Sequence, residues 1–211
     1  MAGETAGTAR GVAGTARGST HRTARGDARR EVLRNAAAQV LNEQGFAALT
    51  HRAVAACAGI PLASTTYYFA SVEDLAVQAL QRAADDWLAG SEAALAALPA
   101  SLTSRPATAR ALLVVVAGGV TEPAALVSMY ERYLEAGRTP HLRPIVVAFN
   151  ADLVRRVAVV LGRAGRTPDT AQLVLATVDG LLLTALSEGS EQPAADVVPA
   201  LSRLVGLLAR S

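Results

Sequence analysis

The sequence predicts an all-α protein of about nine helices, with a small three-helix helix-turn-helix head followed by a larger helical body. Apolar residues make up 51% of the 211 residues and aromatics only 4%. Alanine and leucine therefore carry most of the apolar content, which favours helix over sheet. No convincing period-two run of β-branched residues appears, so no half-buried strand is expected. Glycine and proline fall at helix-length intervals, where helices end and begin.

Residues 1–26 are built from Gly, Ala, Thr and Arg, with GTAR at 7–10 and again at 14–17. Without apolar periodicity this stretch is expected to be a disordered, arginine-containing tail, either simply solvated or an arm that follows DNA phosphate. The first helix is placed at 27–44, with Val32, Ala36, Val40 and Leu41 on one face and Gly45 ending it. The second begins after Thr50, whose hydroxyl can cap free N–H groups, and Leu49, Val54, Ala55 and Ala58 supply its apolar spacing. Gly59 offers a left-handed exit, and Pro61 sits at or near the first turn of the third helix, at 62–68.

That third helix carries Ser64, Thr65, Thr66, Tyr67 and Tyr68 in succession. So many hydroxyls suit a core poorly, whereas each can donate to and accept from phosphates and base edges. The pair reads as a helix–turn–helix whose second helix enters a major groove, or as a surface αα-corner with a polar helix.

The fourth helix, at 71–98, opens with Ser71 and Asp74 as a capping pair and continues through Leu75, Ala79, Leu80, Ala83, Trp87 and Leu88. A break with Pro99 and Pro106 leads to a fifth helix at 107–117, closed by Gly118 and Gly119. The sixth, at 122–136, carries Met129, Tyr130, Tyr133 and Leu134 on one face, and the seventh, from 140 or 144 to 164, turns Phe149 and Leu153 inward. The eighth starts at Thr167-Pro168-Asp169 and ends at Gly189, and the ninth covers 194–210. The last two offer more apolar surface than a small body needs to bury. Leu173, Thr177, Leu181 and Thr184 with Val198, Leu201 and Val205 are the expected faces of a two-fold, four-helix dimer interface.

The stretch around the turn resembles the DNA-binding domain of the TetR family of transcriptional regulators. The shared pattern is Gly45-Phe46, Thr50, Arg52, Val54-Ala55, Ala58-Gly59-Ile60, the hydroxyl-bearing helix, Phe69, Ser71, Glu73-Asp74 and Leu75, and the close match runs over 27–80. The chain departs from it with Thr66 where tyrosine is frequent, Tyr68 for histidine, Ala63 for glycine, and Val72 for a basic residue that grips phosphate. The resemblance implies a DNA-binding domain at 27–72 and a ligand-binding and dimerisation domain at 73–211. It implies DNA contacts from Thr50, His51, Arg52, Leu62, Ser64, Thr65, Thr66, Tyr67 and Tyr68, with Tyr67 and Tyr68 towards the backbone. It also implies a pocket whose best candidates are Trp87, Met129, Tyr130, Tyr133 and Phe149, each of which ordinary core packing explains as well. Its partners would be double-stranded operator DNA, a second copy docked through the two C-terminal helices, and a small, apolar effector.

Composition agrees. Residues 1–70 hold eight arginines against four acids and residues 71–211 twelve against fourteen, a basic head on a near-neutral body. No Ser/His/Asp or Cys/His pattern, phosphate loop or metal spacing among His21, His51 and His141 appears, so neither an enzyme nor a metal or other cofactor is expected. Cys57 excludes an intramolecular disulfide and should pack as a small hydrophobe. With no signal peptide and no run long enough to cross a bilayer, a cytoplasmic protein without a membrane association is expected. The function expected is a ligand-inducible homodimeric repressor on a palindromic operator. A DNA-binding regulator with no effector, constitutive or architectural, and an activator are the alternatives.

Overall fold

A computed structural model of the chain describes residues 16–209, with side chains from Gly26 onward. The helices are α1 (Ala16–Gln44), α2 (His51–Ala58), α3 (Leu62–Tyr68), α4 (Val72–Ala97), α5 (Arg105–Val116), α6 (Pro123–Arg138), α7 (Arg143–Arg163), α8 (Ala171–Ser187) and α9 (Pro193–Leu207). Short 3-10 turns at Phe46–Ala48, Pro140–Leu142 and Pro168–Thr170 precede α2, α7 and α8. Among the described residues there is no β-strand, as the composition predicts.

Most helix ends lie within a few residues of those read from the sequence. The exception is α1, which begins at Ala16 instead of 27, so the part of the expected tail after residue 15 is helical. Residues 1–15 lie outside the described residues. Once Leu33, Ala37 and Leu41 anchor the helix, adding Ala, Thr and Arg residues N-terminally extends an existing nucleus, far easier than starting one. The inward face of α1 also differs by one residue: Leu33 is fully buried, whereas Val32 is exposed.

Two cores form. Leu33, Val40, Leu41, Leu49, Val54, Phe69 and Leu75 build the head, and α5, α7, α8 and α9 surround the larger body core. Helix α4 spans both, with Leu75, Ala79 and Leu80 in the head and Trp87 and Leu95 in the body. Ala136 of α6 and Leu142 also sit in the head core, so α6 reaches it as well. The start of α4 is fixed by a reciprocal cap: Ser71 Oγ accepts from the Asp74 N–H at 3.1 Å, and Asp74 Oδ2 accepts from the Ala70 N–H at 3.2 Å.

The α5–α6 turn crosses α4 at two glycines. A Cβ on Gly90 would lie 2.3 Å from the Gly118 carbonyl oxygen, and Gly118 holds φ +60°. No rotamer change relieves a clash with backbone. Gly90→Ala is expected to destabilise the fold by about 1–3 kcal/mol; an unchanged urea midpoint would contradict this close approach.

Candidate nucleic-acid interface and effector cleft

In the turn between α2 and α3 each end is fixed by local chemistry. Thr50 Oγ1 accepts from the Ala53 N–H at 3.1 Å, capping α2. Gly59 takes φ 63°, and the Ile60 N–H returns to the Ala55 carbonyl at 3.0 Å, closing the helix in a left-handed turn. Pro61 is the N-cap residue of α3. Phe69, fully buried, pins the far end of α3 to the head core.

These constraints decide which side of α3 faces outward. Leu62 and Thr66 are exposed, and Tyr67 is 82% exposed, so it stands clear of the protein. Ser64 is half-buried. Thr65 corrects the sequence expectation: it is 0% exposed and donates from Oγ1 to the Leu62 carbonyl at 2.8 Å, so it packs inward and presents nothing to a groove. The seven-residue helix packs on α2, and Thr65 falls on its buried side. Tyr68 is half-buried, with its hydroxyl beside Gly26 of α1 and its ring edge-on to Tyr67 at 5.0 Å. On α2, Arg52 is exposed beside the capping Thr50, whereas His51 is half-buried with Nδ1 unpartnered. Cys57 is exposed, its thiol donating to Gln39 Oε1 at 3.4 Å, and so does not pack as a core hydrophobe.

A second feature lies between α4, α6 and α7. A small, partly open cleft of about 30 Å³ is lined by Leu80, Ala83, Ala84 and Trp87 of α4, Met129, Arg132 and Tyr133 of α6, and Ile145, Val146 and Phe149 of α7. Trp87 Nε1 donates to the Val116 carbonyl at 2.9 Å, which fixes the indole plane. Tyr133 and Phe149 meet edge-on at 5.9 Å, and Tyr133 donates its hydroxyl proton to Asn150 Oδ1. Four of the five pocket candidates, Trp87, Met129, Tyr133 and Phe149, thus line one cleft. Tyr130 does not line the cleft: it turns to α8 and donates to Asp179 Oδ1 at 3.2 Å. Leu134, expected on the same inner face of α6, is 62% exposed.

Burial pushes the Asp179 carboxyl up to about 6, although the Tyr130 hydroxyl pulls the other way. Burial, then the Asp179 charge, raises both Tyr130 and Tyr133. A carboxyl whose folded pKa lies above its unfolded value binds more protons when folded, so stability falls as pH rises from about 4 through about 6. Asp179→Asn keeps an acceptor for Tyr130 and removes the charge. It is expected to raise the melting temperature at pH 8 and to change it little at pH 4; the reverse order would contradict the burial of a reluctant charge.

The chain matches two family models. "Bacterial regulatory proteins, tetR family" covers residues 33–79, and "Tetracyclin repressor-like, C-terminal domain" covers 103–207. The chain belongs to the TetR family of transcriptional regulators. Solved structures agree. A TetR-family member from Streptomyces coelicolor A3, SCO1917, is 33% identical with a TM-score of 0.62, over 83% of this chain and 97% of that one. The multidrug binding protein EbrR, complexed with proflavin, is 33% identical with a TM-score of 0.61, over 83% and 99%. The transcriptional regulator RHA1_ro04179 from Rhodococcus sp. Rha1 shares the fold at 24% identity and a TM-score of 0.65, over 85% and 95%. No curated protein matches. TetR-family regulators bind operator DNA and small-molecule ligands, and in general they are not enzymes.

In this TetR-family chain the C-terminal helices expose an apolar face. On α8, Ala171, Val174, Leu175, Val178 and Leu182 point into the body core. Leu173, Ala176, Gly180, Leu183 and Thr184 face outward, with Leu173 61% and Leu183 48% exposed. Thr177 and Thr184 donate to the Leu173 and Gly180 carbonyls, each at 2.8 Å, so their hydroxyls are satisfied within the helix. Two expected interface residues of α9 are corrected: Leu201 and Val205 are 0% and 1% exposed and belong to the body core. Leu181 and Val198 are half-buried against that core. The outer side of α9 carries Pro199, Arg203 and Leu207 instead.

Sequence reasoning missed Arg132, Ile145 and Val146. Arg132 follows Met129 by three residues and precedes Ala136 by four, which puts a charge on the buried stripe of α6. That spacing was the available signal.

Proposed function

We propose that this TetR-family regulator is a cytoplasmic homodimer that represses transcription from a palindromic operator and releases it when a small, largely apolar effector enters the α4–α6–α7 cleft. The observation that carries the DNA reading is the outward side of α3. Leu62, Thr66 and Tyr67 stand free of the head, with Arg52 of α2 exposed as well. A helix so placed fits a major groove, with the tyrosine and arginine offering contacts to backbone and bases. Thr50, His51, Ser64 and Tyr68 flank this surface, and Thr65 supports it from inside.

The apolar face of α8 supports the dimer. Contrary to the sequence expectation, the Pro168–Ser187 segment is long and apolar enough to cross a bilayer. However, one side of it is packed into the body core and the half-buried Asp179 interrupts it. A second copy laid against the outer side suits that asymmetry better than lipid on every side. Two heads on one two-fold axis would then meet successive faces of the duplex. Effector release works through α4, whose two ends lie in the head and body cores. A ligand binding one arrangement of α4 more tightly shifts the spacing of the heads by that difference in affinity. That EbrR, 33% identical, is a multidrug binding protein complexed with proflavin supports a small-molecule effector for this fold.

The test is binding to DNA from upstream of the protein's own gene. Tyr67→Ala is expected to weaken binding about tenfold or more, with a melting temperature little changed, because the edge of Tyr68 is the one ring packed against this exposed side chain among the described residues. Unchanged affinity would remove α3 from the interface.

A further inference from the structure

Resting on the reading of the α4–α6–α7 cleft as the effector site, a second inference concerns the charge of what binds there. Among the described residues lining that cleft, Arg132 alone is charged. It is 9% exposed, and among the described residues no carboxylate lies within ion-pair distance of it. Burial pulls its pKa down to about 10, with the nearby Glu131 acting in the opposite sense, so it remains a cation at neutral pH.

A guanidinium has five N–H donors. Arg132 donates from Nη1 to Ser128 Oγ at 2.8 Å, and Ser128 Oγ donates in turn to the Asn42 carbonyl at 3.0 Å. Asn42 lies in the last turn of α1, where carbonyls lack partners within the helix. Arg132 also borders a groove between α6 and the Gly45–Ala47 corner of the head. One side chain therefore touches both the cleft and the seam between body and head. A buried cation without a counter-ion is costly, and a ligand oxyanion would supply the missing partner.

We propose that the cleft takes an organic acid, a carboxylate on an apolar body, with Arg132 as its counter-charge, and that the acid draws Arg132 off Ser128. Ser128 then loses the donor that orients it, and the tie between α6 and the last turn of α1 slackens. An aromatic cation in the same place would set like charges together.

A series with one apolar body and three head groups tests this: cyclohexylbutanoate, its uncharged amide cyclohexylbutanamide, and the cationic cyclohexylbutylamine. The chain has one tryptophan, Trp87, on the cleft wall, so its emission follows binding to the full-length protein. Affinity for upstream DNA is measured in parallel. The carboxylate is expected to bind about tenfold or more tightly than the amide, with the amine weakest. Arg132→Gln abolishes this preference, and Arg132→Lys retains part of it, with circular dichroism confirming that each variant is folded. Ser128→Ala keeps the preference for acid but reduces the effect of the carboxylate on DNA binding. If the amide or the amine binds as tightly as the acid, the acid assignment is overturned while the cleft remains the effector site. If none of the three moves Trp87 emission or DNA affinity, both readings fall.

Discussion

A chain carrying Leu173→Glu and Leu183→Glu together is expected to sediment as a folded monomer and to bind its operator about 10²-fold more weakly, or worse. Both leucines project from α8, at 61% and 48% exposure. Substitutions this far out of the core leave the stability of a single chain within a few tenths of a kcal/mol. In the proposed dimer they place four carboxylates in an apolar seam, where each loses water and gains no partner. The two heads then bind independently, and the advantage of linking them is lost. Sedimentation velocity and a gel-shift titration read both outcomes. A dimer that persists would move the interface away from α8.

The second large effect falls in the cleft. Trp87→Ala is expected to cost about 3–5 kcal/mol, roughly 10 °C in melting temperature for a chain of this size. Trp87 is 9% exposed, donates to the Val116 carbonyl at 2.9 Å, and lies against Gly118 at the crossing of α4 with the α5–α6 turn. Removing it opens a hole at that crossing and leaves a carbonyl without its donor. Trp87→Phe keeps most of the volume and should lose markedly less. A loss below about 1 kcal/mol for the alanine variant would show that the indole is a lid and not a strut.

What could be read from the residues, and what could not, divides on a physical line. Thr50, Gly59, Pro61 and Ser71 act on backbone atoms within a few positions of themselves, so their types and spacing announced the turn and the start of α4. The direction of Thr65 depends on how α3 docks on α2, and a seven-residue helix is too short for periodicity to reveal a face. Leu201 and Val205 show the same limit from the other side. Their i, i+4 spacing correctly marks an apolar stripe, but spacing alone does not say whether a stripe packs into its own chain or faces outward. Tyr130 was taken from the cleft by Asp179, which lies far away in sequence on α8. Arg132 is not legible from the sequence because arginine on a helix is usually solvated, and only the packed structure shows it enclosed.

The central claim is that α3 is offered twice to one duplex. Hydroxyl-radical footprinting of the unmodified protein on its own upstream DNA, with the mass of the complex measured alongside, tests it most directly. The account predicts two chains per site and two protected half-sites about one helical turn, roughly 34 Å, apart or a multiple of it, related by a two-fold axis. A single protected patch with one chain bound, or protection with no symmetry, would contradict it.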